Sequence, residues 1–152
     1  MIPEIEFKEK ARTFNVPIST IERDYAQNWL LAHLPKMAFK GGTGIRKAYI
    51  KNYRFSDDLD FTLLEKISFK DLTNKVKNGY VINIYFRILR STGDPLKIKM
   101  DITNKENEII INPIQKKNLI HIYSDKINEQ INVYTLEEMF AEKVRSLFER
   151  TR

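Results

Sequence analysis

The chain has 152 residues, a net charge of +6 and a pI near 9.4, a length that suits one domain with a single hydrophobic core. Its hydrophobic fraction of 42% is ordinary for a globular protein, no apolar run approaches the ~20 residues of a membrane span, and the N-terminus MIPEIEFKEK is too charged for a secretory signal. The absence of cysteine excludes a disulfide framework and a thiolate zinc site, which fits the cytoplasm, and the positive charge points to an anionic partner.

The segment up to Phe14 reads as a short helix or arm, ended by Asn15 and Pro17. Ser19, with Glu22 three residues on, has the pattern of a capping box opening a second helix. Ile21, Tyr25, Trp29 and His33 recur every four residues, and Leu30 and Leu34 widen the apolar side, so this helix should pack on the core until Pro35 stops it. Met37 to Lys40 reads as a short strand running into a glycine pair, and Thr43 to Ile50 as a helix starting at that turn. A strand through Asp58-Leu59-Asp60 follows, then a helix from Ser68 to Asn78 with Gly79 as its stop.

Tyr80 to Arg90 is rich in β-branched and aromatic residues and reads as a strand. Gly93, Asp94 and Pro95 turn the chain into a second strand, Leu96 to Thr103, with Ile98, Met100 and Ile102 on one face and Lys97, Lys99 and Asp101 on the other. Glu108 to Ile114, Leu119 to Tyr123 and Ile131 to Tyr134 read as further short strands. A final helix begins near Thr135, with Glu137 and Glu138 in its first turn, where acids suit the helix dipole. The pattern is that of an α/β or α+β domain, a mixed β-sheet with packed helices, with no internal repeat or linker.

The stretch Phe39 to Leu63, FKGGTGIRKAYIKNYRFSDDLDFTL, carries the chemistry. On a strand Asp58 and Asp60 point to the same side, roughly 7 Å apart at Cα, while Leu59 and Phe61 point to the other. Two carboxylates so placed suit one hard divalent cation such as Mg²⁺. Gly41, Gly42 and Thr43 open a turn into which phosphates can approach the backbone N–H groups, and a helix N-terminus favours them there. The turn is not a P-loop, since Arg46 and Lys47 stand where GxxxxGK[ST] requires glycine; GxGxxG fails at Lys47 as well. Ser56 either contacts phosphate or caps the strand, Asp57 faces solvent, and Asp101 is either a third carboxylate of the metal site or an exposed partner of Lys99.

On the last helix Leu136, Met139, Phe140, Val144 and Leu147 form an apolar stripe, with Lys143 inside it and Arg150 on the same face. Glu138, Glu142, Arg145 and Glu149 collect on the outer face. A lysine in a core-facing stripe either snorkels or meets an anion, here triphosphate or the acidic cluster. His33 and His121 read as structural, and the scattered aromatic residues form no base-stacking platform.

FKGGT, RFSDDLDF and the late EEMFAEKVRSLFER, in this order and over about residues 20 to 152, resemble the AbiEii-type nucleotidyltransferase toxins, a branch of the DNA-polymerase-β-like nucleotidyltransferase superfamily. The resemblance implies a nucleotidyltransferase fold and transfer of a nucleotidyl group from an NTP to an acceptor hydroxyl, with RNA, tRNA foremost, as acceptor. It also implies a toxin–antitoxin or phage-defence setting with a cognate antitoxin. Under it Asp58 and Asp60 hold Mg²⁺, Asp101 completes the metal site or acts as base, and Gly41, Gly42, Thr43, Ser56, Lys143 and Arg150 bind the NTP. Lys143 matches the lysine of the family's AEK motif. Two departures stand out: Gly44 replaces an alanine or bulkier residue, and the chain, read as a single domain over 1–152, lacks the helical C-terminal half of related sequences. The competing readings are another Mg²⁺ enzyme such as a nuclease, and an inert RNA- or protein-binding module.

Overall fold

The computed structural model describes residues 1–34, 36–65, 74–76 and 79–150, with the side chains of 74–76, 149 and 150 outside the description. Four helices and seven strands follow one another: α1 (Glu4–Phe14), α2 (Ile18–Leu31), β1 (Met37–Lys40), α3 (Gly41–Ala48), β2 (Asp58–Leu63), β3 (Asn74–Val76), β4 (Gly79–Phe86), β5 (Leu96–Asn104), β6 (Gln115–Asn118), β7 (Gln130–Val133) and α4 (Leu136–Arg150). The strands form one mixed sheet in the order β3-β4-β5-β2-β1-β7-β6. β2 runs parallel to β5 and β1 parallel to β7, while the other neighbours are antiparallel. This is the mixed α/β architecture expected from the sequence, and it is consistent with a nucleotidyltransferase-like fold. Among the described residues no helix is long and apolar enough to cross a membrane.

The alternation of β2 and β5 builds the core. Leu59, Phe61, Ile98, Met100 and Ile102 are all buried, and Phe39 of β1 stacks on Phe61 with ring centroids 4.9 Å apart. Tyr134, just after β7, is wholly buried, and its hydroxyl is satisfied by that of Thr62 at 2.8 Å. A smaller cluster seats α1 on α2: Phe7 meets Tyr25 edge-on at 5.3 Å, and Tyr25 meets Tyr123 at 5.0 Å.

Several local readings are corrected. The helix expected over Ser68–Asn78 is a strand at 74–76, with the remainder outside the described residues. Helix α2 begins at Ile18 behind Pro17, and the capping box does not form; Glu22 is buried and accepts the backbone N–H of Leu89 at 3.0 Å instead. Trp29 and His33 leave the expected stripe, Trp29 partly exposed and His33 on the surface with Nδ1 at the Trp29 carbonyl, while Leu30, Leu31 and Leu34 carry the packing on the core. The expected strands at Glu108–Ile114 and Leu119–Tyr123 are irregular, and the strand in this region is the polar Gln115–Asn118. The isoleucine run mimics a strand, but the N–H groups of Ile111 and Asn112 bond the Glu138 carboxylate rather than a neighbouring strand.

Gly79 opens β4 where the sheet leaves no room: a Cβ there would stand 1.9 Å from the carbonyl oxygen of Ile102. Backbone on both sides of the clash cannot yield cheaply. Gly79→Ala should therefore lower unfolding free energy by roughly 1–3 kcal/mol, read from the urea midpoint at unchanged slope.

Candidate active site

The strand order brings the acidic residues together. Because β2 lies between β1 and β5, Asp60 has Lys40 opposite it on one side and Asp101 on the other, and Asp58 faces Lys99. Asp58, Asp60 and Asp101 thus share one face of the sheet, as their alternation requires. Asp58 is exposed, and Asp60 and Asp101 are half-buried. Lys99 Nζ lies 2.6 Å from Asp101 Oδ2, so the pairing of Asp101 with Lys99 is present alongside its place next to Asp60. Asp57 is exposed and pairs with Arg23 of α2.

The glycine turn closes over this face. Gly41 takes φ +72°, a conformation that costs a side chain dearly, and a Cβ there would meet Asp60 Oδ2 at 2.4 Å. Only glycine lets the turn back onto the carboxylate. Gly41, Gly42 and Thr43 form the first turn of α3, whose N–H groups stand outside the helix's own ladder. Thr43 is buried, and its hydroxyl donates to the Asp58 carbonyl at 2.7 Å, joining α3 to β2. Ser56 is half-buried, and its carbonyl accepts from Gln27 Nε2 at 3.0 Å.

Helix α4 keeps only the first part of its expected inward face, with Leu136 packed against the core. Met139 is buried, but Phe140, Leu147 and Phe148 are 65%, 60% and 70% exposed. Glu138 and Glu142, assigned to the outer face, point inward. Glu138 takes the N–H groups of Ile111 and Asn112, while Glu142 lies 3.8 Å from Lys40 Nζ, which also pairs with Glu108. The polar groups that this side of the helix meets are thus the N–H groups of Ile111 and Asn112 and the ammonium of Lys40. Gly44 packs against the helix: a Cβ would meet the flexible end of Met139, Cε, at 3.0 Å.

Lys143 consequently lies on the surface rather than in the core. Its Nζ donates to the Tyr53 hydroxyl at 2.6 Å and sits 5.3 Å above the same ring. Arg54, which the sequence reading leaves unassigned, lies beside the glycine turn, its Nη2 3.5 Å from where a Cβ of Gly42 would be. Lys143 and then Arg54 hold the Tyr53 phenol below its ordinary range. Tyr53, Arg54 and Lys143 form a cationic cluster that no spacing in the sequence announces. Arg150 ends α4, and its side chain lies outside the described residues.

The carboxylate face is electrostatically strained. Burial, and next the charge of Asp101, push the Asp60 carboxyl up to about 6, against the pull of Lys40. Among the described residues no three His, Cys, Asp or Glu side chains are arranged as a ready metal cage. The donor set nevertheless suits a hard cation: oxygen ligands, with a carboxylate whose ionisation is opposed by its neighbours. A native pKa above the unfolded value means that the proton binds the folded state more tightly. Stability from this group is full below about pH 4 and falls as pH rises toward about 6. Asp60→Asn, which cannot ionise, should raise the melting temperature above pH 6, with the gain shrinking to nothing near pH 4; a melting series across this range checks it.

Matched against models of known families, the chain matches the one described as nucleotidyl transferase AbiEii toxin, type IV toxin–antitoxin system, over residues 25–81 and 65–152. No curated protein and no solved structure matches it. The two matched segments hold the glycine turn, the three aspartates and the lysine of the last helix, and the chain belongs to the AbiEii family of nucleotidyl transferase toxins.

Proposed function

We propose that this nucleotidyltransferase transfers a nucleotidyl group from a Mg²⁺-bound NTP to a hydroxyl of an RNA acceptor, tRNA foremost, as the toxin of a toxin–antitoxin or phage-defence system acting in the cytoplasm beside a cognate antitoxin. The observation that carries this reading is the backing of the Gly41 turn onto Asp60, which sets phosphate-binding amides and carboxylates side by side. Asp58 and Asp60, with Asp101 once released from Lys99, are the residues that would hold Mg²⁺. Bound there, the metal would offset charge developing on the phosphates.

The chain's own groups supply the rest. The amides of the α3 first turn, together with Arg54, Lys143 and Arg150, bind the triphosphate, and Tyr53 keeps the Lys143 ammonium within reach of it. The acceptor oxygen attacks the α-phosphorus, a new P–O bond forms, pyrophosphate leaves, and the hydroxyl proton passes to Asp101. Net charge +6 supports an RNA acceptor, since phosphate contacts draw on positive charge.

Asp58 is exposed and makes no core contact, so Asp58→Ala should leave the melt unchanged while abolishing Mg²⁺-dependent pyrophosphate release from NTP. Full turnover in that variant would remove the metal assignment. Lys143 is likewise on the surface, and its exchange separates phosphate binding from packing. If it holds phosphate, Lys143→Met should bind NTP roughly 10- to 150-fold more weakly, the equivalent of about 1.5–3 kcal/mol for a charge-assisted contact, at an unchanged melting temperature. Equal affinity by titration would leave Lys143 as a partner of Tyr53 alone.

A further inference from the structure

Two adjacent cations of α3, Arg46 and Lys47, are buried to 3% and 1% exposure, and neither opens onto the active-site face. Both end on one carboxylate of α2. Lys47 Nζ lies 2.7 Å from Asp24 Oδ1 and 3.0 Å from the Asp24 carbonyl, and it also donates to Asn28 Oδ1. An ammonium has three protons, and here each meets an acceptor. Arg46 Nε donates to the same Asp24 Oδ1 at 3.1 Å, and Tyr123 donates to Oδ2 at 2.9 Å. Arg46 also stacks on Phe55 at 3.6 Å and donates through Nη1 to the carbonyl of Tyr53.

The position of these contacts gives them a role. Helix α3 has eight residues, about 12 Å of rise, too short to hold a direction by itself. Its first turn is tied by Thr43 to Asp58, and its far end by Lys47 to α2. Arg46 meanwhile fixes the segment that carries Tyr53 and Arg54. The glycine turn and the neighbouring cationic cluster are thus both tied, through Lys47 and Arg46, to a single buried carboxylate.

We propose that the Asp24–Arg46–Lys47 cluster is a positioning device for the phosphate site: Lys47 aims the first turn of α3, and Arg46 holds the Tyr53–Arg54 segment to match it. Lys47 is a positioning residue and touches no phosphate. An acceptor set that saturates its ammonium fixes both distance and direction, which an apolar side chain of similar length does not. The proposal rests on the reading of the glycine turn as a triphosphate site, and the test separates the two.

Inorganic tripolyphosphate with Mg²⁺ is titrated calorimetrically into the wild type, Lys47→Met and Asn28→Ala, each checked by thermal melting for a cooperative fold. Wild type should bind, Asn28→Ala should bind a few-fold more weakly, and folded Lys47→Met at least ten-fold more weakly. A side chain that only stabilises the fold would lower the melting temperature and leave the affinity of the folded protein alone. Wild-type affinity in folded Lys47→Met therefore overturns the proposal, and if that variant does not fold, wild-type affinity in Asn28→Ala does so. A wild type that fails to bind tripolyphosphate overturns the triphosphate reading itself, and this proposal with it.

Discussion

The Asp60 carboxylate occupies the place where a side chain at position 41 would stand. Much of the site's geometry follows from that approach. It demands glycine with a positive φ at the end of β1, so the chain leaves the sheet and enters α3 in one step. It places the first amides of α3 over the acidic face. It also removes water from one side of a carboxylate that already has Asp101 beside it, which is why this group resists ionisation.

The sheet order is the second constraint. β2 is central, with β1 antiparallel on one side and β5 parallel on the other, so three strands distant in sequence deliver Lys40, Asp60 and Asp101 in one row. Lysines alternate with the acids: Lys40 pairs with Glu108 and lies near Glu142, and Lys99 pairs with Asp101. These pairs limit repulsion among the carboxylates. They also tie the outer elements to the site, since Glu142 belongs to the helix that presents Lys143.

Helix α4 shows how local pattern and tertiary demand diverge. Its apolar stripe is real in the sequence, yet Phe140, Val144, Leu147 and Phe148 are exposed while two glutamates turn inward. The inward partners are the amides of Ile111 and Asn112 and the ammonium of Lys40. With the glutamates on that side, Lys143 lies at the surface and donates to Tyr53.

Taken alone, the sequence determined the mixed sheet, the alternation of β5, the shared face of Asp58 and Asp60, the glycine turn and the family. Each of these is local: a strand sends alternate residues one way whatever surrounds it, and glycine is needed wherever the backbone turns against another group. Tertiary structure decided what depends on partners far along the chain. It assigned the Thr43 hydroxyl to the Asp58 carbonyl, Glu22 to the amide of Leu89, and Lys47 to Asp24. It brought Arg54 to the glycine turn and chose the face of α4. Helical periodicity records which side chains are apolar, whereas the groups that a helix face must meet are settled only when the chain has folded.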